Sequence, residues 1–129
     1  MERLVERVGL ARRALTNLDR ALAEPKTEMN RDASIQRFEY SYEALWKAAQ
    51  AFLSEREKVE RSSPASVARA CFQAGLLTEE QARAALRMAQ DRNLTVHTYN
   101  EELAEEIYSR LPQHAALMGI WLDAIQACL

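Results

Sequence analysis

Apolar residues recur along most of this chain in alternating steps of three and four. Leu4, Val8, Ala11, Leu15, Leu18 and Leu22 form one such series, and Ile35, Phe38, Tyr42, Leu45, Ala49 and Phe52 form another. That stepping keeps one face of an α-helix apolar, because a turn takes 3.6 residues. The first series predicts a helix from about Glu2 to Glu24, stopped by Pro25, which lacks the N–H that a helix interior needs. The second predicts a helix that starts near Asn30 or Asp32. Trp46 and Leu53 widen its stripe, which marks it as the central helix. A polar stretch over 54–62 then reads as a linker.

Punctuation places the remaining elements. Ser63-Pro64 is an N-cap followed by proline at the first helical position, opening a helix to about Ala74 with Gly75 as its cap. Thr78 and Gln81 have capping-box spacing and open a fourth helix that reaches about Asn93. A fifth covers Glu101 to Leu111, and Pro112 starts or kinks a last one ending near Ala127. The pattern predicts an all-α protein: an antiparallel up-and-down helical bundle in a single domain over residues 1–129. Phe38, Tyr42 and Trp46 share a face of the second helix. Tyr40 points elsewhere and is a candidate interface residue, or simply a tyrosine on the surface.

Composition narrows the function. A net charge of −2 argues against a tight, sequence-independent nucleic-acid binder, although a small basic cleft would still fit. Cys71 and Cys128 have no CxxC spacing and read as two small core side chains in a reducing compartment. With two distant His they make no zinc site, and the reading calls for no metal and no cofactor. Gly9, Gly75 and Gly119 each lack an adjacent Ser and there is no DxD, so the chain is not itself a nucleotidyltransferase. Met1-Glu2-Arg3 opens on no apolar run, and no stretch approaches the ~20 apolar residues of a membrane span. The expected location is the cytoplasm, with no membrane partner.

Chemistry concentrates in Asp91-Arg92-Asn93-Leu94-Thr95-Val96-His97-Thr98-Tyr99-Asn100. Arginine offers a planar fork of donors suited to phosphate, and histidine exchanges protons near neutral pH. Together they can cleave a phosphodiester without a metal: His97 can move protons, Arg92 can hold the phosphate and its developing charge, and Asn93 can orient the phosphate or the His ring. On an unbroken helix Arg92 and His97 would sit roughly 140° apart. Either the helix ends between them or the site draws them from two subunits. Thr95, Val96, Thr98 and Tyr99 are poor helix formers, and Asn100 with Glu101 and Glu102 reads as a fresh N-cap. Arg92 therefore belongs in the last turns of one helix and His97 near or past its end. An extended 97–99 would project His97 and Tyr99 to the same side. The plainer alternatives are a structural His97 at a helix end and a Tyr99 that packs as a cap. His114 has no partner motif and reads as a solvated surface residue.

The segment from Arg31 to Lys47, RDASIQRFEYSYEALWK, resembles the second-helix signature of the nucleotidyltransferase substrate-binding proteins, a branch of the HEPN superfamily. Asp91 to Asn100 resembles the R-x4-H-x-Y motif of that family's HepT toxins. The resemblance implies a four-helix HEPN core with short additional helices, and a homodimer in which two motifs face each other. It also implies a cognate minimal nucleotidyltransferase as antitoxin, an RNA substrate, and a metal-independent endoribonuclease. In it Arg92, Asn93 and His97 would be catalytic and Tyr99 would accept AMP. The alternative within the family is a non-catalytic nucleotide- or substrate-binding subunit. A structural dimerisation module is a third.

Overall fold

The computed structural model describes residues 2–129; Met1, on which the N-terminal reading begins, lies outside them. Among the described residues there are five α-helices: α1 (Glu2–Ala23), α2 (Glu28–Arg56), α3 (Pro64–Gln73), α4 (Glu79–Leu94) and α5 (Glu101–Ala127). A short 3₁₀ turn, Thr95–His97, separates α4 from α5. The protein is all-α, as the apolar periodicity requires.

The caps explain the boundaries. Thr27, Ser63, Thr78 and Asn100 each accept a hydrogen bond from a backbone N–H three residues on, satisfying a donor that the first helical turn leaves orphaned. Gly75 adopts φ 83° just past α3. There Leu76 N–H reaches Cys71 O at 2.9 Å and Gly75 N–H reaches Phe72 O at 3.1 Å, the paired bonds of a Schellman ending.

Three helix boundaries need correction. The second helix begins at Glu28, not near Asn30 or Asp32, because Thr27 is its cap. Asn30 instead turns its amide back, donating to Ala21 O at 2.9 Å at the end of α1. The same helix runs on to Arg56, through residues read as linker. Finally, Pro112 neither ends nor begins a helix: α5 is continuous across it. A helix-interior proline costs about 3 kcal/mol. Leu111, Met118, Trp121, Leu122 and Ile125 are fully buried on either side. At roughly 1.5–3 kcal/mol per fully buried large apolar side chain, that continuous stripe outweighs the break.

One core runs through the bundle. α1 packs most extensively on α2, and α2 also meets α5, with α3 and α4 paired beside them. Both predicted stripes are buried, Leu4 to Leu18 from α1 and Ile35 to Phe52 from α2, while Leu22 and Trp46 are part-buried at the edge. Cys71 is a core side chain, and burial pushes its thiol up to about 11. Cys128 is exposed beyond the end of α5, which corrects the expectation that both cysteines are core. No helix is long and apolar enough to cross a membrane among the described residues.

Candidate functional site

Arg92 lies in the last turn of α4, where a cation meets the negative end of the helix dipole. Beyond it the chain tightens. Thr95 Oγ1 donates to Arg92 O at 2.7 Å and Thr98 Oγ1 donates to Thr95 O at 2.8 Å. Such hydroxyl returns compete with the regular ladder and favour a short 3₁₀ turn. The helix therefore ends between Arg92 and His97, the first of the two arrangements that their spacing allows. Residues 97–99 turn rather than extend, which corrects that expectation; Thr98 has φ −77° and ψ 4°. Asn100 then caps α5, accepting from Leu103 N–H at 3.1 Å, with Glu101 and Glu102 in the first turn.

The turn brings His97 and Tyr99 together and leaves Arg92 with a different partner. The two rings meet edge to face, centroids 6.1 Å apart. His97 is exposed and its ring makes no hydrogen bond among the described residues, its carbonyl alone accepting from Asn100 N–H at 3.1 Å, so it is not a satisfied structural histidine. Tyr99 is 82% exposed, so its ring does not pack as a cap. Asn93 is exposed on the same segment. Arg92 is part-buried and its Nε donates to Glu43 Oε1 of α2 at 3.1 Å. Glu43 is held in turn by Trp46, whose Nε1 donates to Oε2 at 3.2 Å. The two terminal guanidinium nitrogens remain for an anion. Neither a hydrogen bond nor a ring contact joins Arg92 to His97 within the chain, among the described residues.

Glu43 also lines a groove of about 300 Å³ with Arg7, Leu10, Tyr40, Ala44 and Lys47. Tyr40, the candidate interface residue, is 59% exposed on its wall. No group of three or more His, Cys, Asp or Glu side chains among the described residues is arranged to hold a metal.

Two polar clusters flank the motif, and sequence reasoning found neither. Asp91 is buried on α4. Its carboxylate takes a bidentate pair from Arg110 of α5, Nε to Oδ2 at 2.7 Å and Nη2 to Oδ1 at 2.8 Å. His114 Nε2 lies 2.7 Å from the same Oδ2, and its ring stacks on Phe38 with centroids 5.3 Å apart. His114 is thus a buried link between helices, not the solvated residue expected. Burial by itself would raise the Asp91 carboxyl, but the bonds from Arg110 and His114 outweigh it and hold it below its usual range. Burial also holds the His114 imidazole below its ordinary 6.5, against the pull of Asp91. The neutral ring must then carry its proton on Nε2 to donate to the carboxylate.

On the other side, Arg31 is buried at the start of α2. It reaches Glu101 at 2.7 Å and Glu105 at 3.3 Å, with Asp32 on its other edge at 2.9 Å. Lys26 also pairs with Glu105. The available signals were Arg110 with His114 and Glu101 with Glu105, each spaced i,i+4 and so sharing a helix face.

Comparison with known proteins follows the same lines. Residues 6–127 match the family model described as nucleotidyltransferase substrate binding protein like. A Thermus thermophilus protein of known structure is 51% identical, with 89% of this chain and 98% of that one covered and a TM-score of 0.86. A tri-AMPylated Shewanella oneidensis HEPN toxin, solved with its MNT antitoxin, is 16% identical over 96% of each chain with a TM-score of 0.79. A Haemophilus influenzae protein, described as showing the fold of a substrate binding domain of a nucleotidyltransferase, is 17% identical. It covers 92% of this chain and 98% of its own, with a TM-score of 0.75. The last two share the fold. No curated protein matches.

Proposed function

This chain belongs to the nucleotidyltransferase substrate binding protein-like family, and on that premise we propose that it is a HepT-like member of the HEPN superfamily and the toxin of a toxin–antitoxin pair. Its activity is metal-independent cleavage of RNA, and a small nucleotidyltransferase antitoxin silences it by adding AMP to Tyr99. The observation that carries this reading is the exposed turn itself. It presents His97 and Tyr99 side by side, and follows directly from an Arg92 oriented by Glu43.

The chemistry asks little more. The RNA 2′-hydroxyl loses its proton to one imidazole as its oxygen attacks the adjacent phosphorus. The bond to the 5′ oxygen breaks, and that oxygen takes a proton from a second imidazole. The chain has one His in the motif, so the second is His97 of the partner subunit in a homodimer with the two motifs facing each other. Arg92 has four terminal N–H donors beyond the one that Glu43 takes, enough to hold the phosphate and stabilise its added charge. Asn93 orients the phosphate. AMP on Tyr99 would stand beside His97 and compete with substrate phosphate for the same donors. The toxin–antitoxin assembly of the Shewanella relative supports the partner class.

The test is cleavage of total RNA by the pure protein in excess EDTA. Wild type is expected to cut, and His97→Ala and Arg92→Ala each to lose at least about a hundredfold. Both variants should keep wild-type helicity. Abolition by EDTA, or an undiminished His97→Ala, would reject the assignment. No cleavage at all would leave the non-catalytic binding subunit as the better account.

A further inference from the structure

Residues 92–99 lie between Asp91 and the cap of α5, and they carry the whole motif. Of these only Thr95 is buried; Asn93, Leu94, Val96, His97 and Tyr99 are exposed. A helix end with so little apolar anchorage frays at small cost, since the bonds from Thr95 to Arg92 O are local and tie it to no other helix. A fraying end would leave Arg92 and the turn after it in many arrangements. Something other than packing must hold it.

We propose that Asp91 is the positioning residue for this motif: its carboxylate pins the last turn of α4 to α5 and holds Arg92 and the turn bearing His97 in one geometry. The inference rests on the reading of that turn as an RNA-cleaving site. The geometry favours positioning over a generic ion pair. A bidentate guanidinium fixes the plane of the carboxylate, and the third bond, from His114, fixes it from a second direction. His114 is itself immobilised by its stack on Phe38 of α2, so the carboxylate reports to three helices at once. Asp91 touches no substrate. It acts through its neighbour Arg92, whose own partner Glu43 stands on α2. Both residues that aim the motif's arginine are therefore referred to the same helix.

Asp91→Asn tests this by two independent readouts. In amide hydrogen exchange, residues 93–100 should exchange about tenfold faster or more, while the core amides of α1 and α2 stay as in wild type. In RNA cleavage, kcat should fall about a hundredfold with KM nearly unmoved, because misplacement of catalytic groups costs the transition state more than binding. His114→Gln, whose amide can still donate to Asp91, should retain most of both properties. Should Asp91→Asn not fold, Arg110→Gln serves in its place, since Arg110 stands 40% exposed and His114 still holds the carboxylate. Unchanged exchange over 93–100, or faster exchange spread evenly through α1 and α2, would overturn the proposal. If wild type cleaves no RNA but the exchange result holds, the cleavage reading fails and the positioning role stands.

Discussion

Exposure separates the motif residues by task. Arg92 is half-sheltered and spends one donor on Glu43, while His97 and Tyr99 stand in the open. A group that must orient a phosphate benefits from a fixed side chain, whereas a group that must be reached by a second protein cannot be buried. Tyr99 fits the second condition, with 82% of its surface accessible. Incubation with the cognate nucleotidyltransferase, ATP and magnesium should transfer AMP from the α-phosphorus of ATP to the Tyr99 oxygen, releasing pyrophosphate. Intact-mass analysis should show one or more AMP additions to wild type and none to Tyr99→Phe. Equal labelling of the two would place the acceptor elsewhere.

Between elements, buried polar clusters decide how α4, α5 and α2 meet around the motif, and the one at His114 is pH-sensitive. Its ring faces the Asp91 carboxylate on α4, Arg110 on α5, Arg87 on α4 and the Phe38 ring on α2. Burial holds its folded-state proton affinity below the ordinary 6.5, so the unfolded chain binds the more protons in that window. Stability from this site is then complete above about pH 6.5 and declines as pH falls toward the folded value. Asp91 acts in the same direction at lower pH, below its ordinary 3.8, because its folded form resists protonation. Thermal melts should show a falling Tm from about pH 6.5 downward in wild type. His114→Gln should flatten the upper part of that slope and leave the steeper loss below pH 4. An unaltered slope would show that other groups set it.

For the whole molecule, the open question is what covers the motif. Leu94, Val96 and Tyr99 expose apolar surface on the turn, and Leu10 and Tyr40 do so on the groove shared with Glu43. A monomer supplies one motif histidine, and in-line transfer uses two proton-transfer groups. Under the proposed RNA cleavage, a homodimer joining two motifs would supply the second group. Sedimentation equilibrium at micromolar concentration should give about twice the 14.7 kDa chain mass, and Tyr40→Glu should weaken the association. Monomer alone would remove the composite site.

The sequence by itself determined the helices, most of their caps and the location of the chemistry. Each rests on local physics: a 3.6-residue stripe, a hydroxyl three residues before an N–H, a run of poor helix formers between Arg92 and Asn100. It misplaced the start of α2 because Thr27, an equally local signal, is the cap that forms, and it took Pro112 as a helix boundary because a continuous buried stripe along α5 outweighs the break. The tertiary structure alone decided His114, Asp91, Arg31 and Glu43. Their hydrogen-bonded partners on other helices lie 19 to 74 positions away along the chain. A charged residue in a helix pattern reads as solvated until the fold brings its counter-charge, since burial of a charge is tolerable only when paired. The motif's residues could be found by type and spacing. What holds them in place could be found only once α2, α4 and α5 had been brought together.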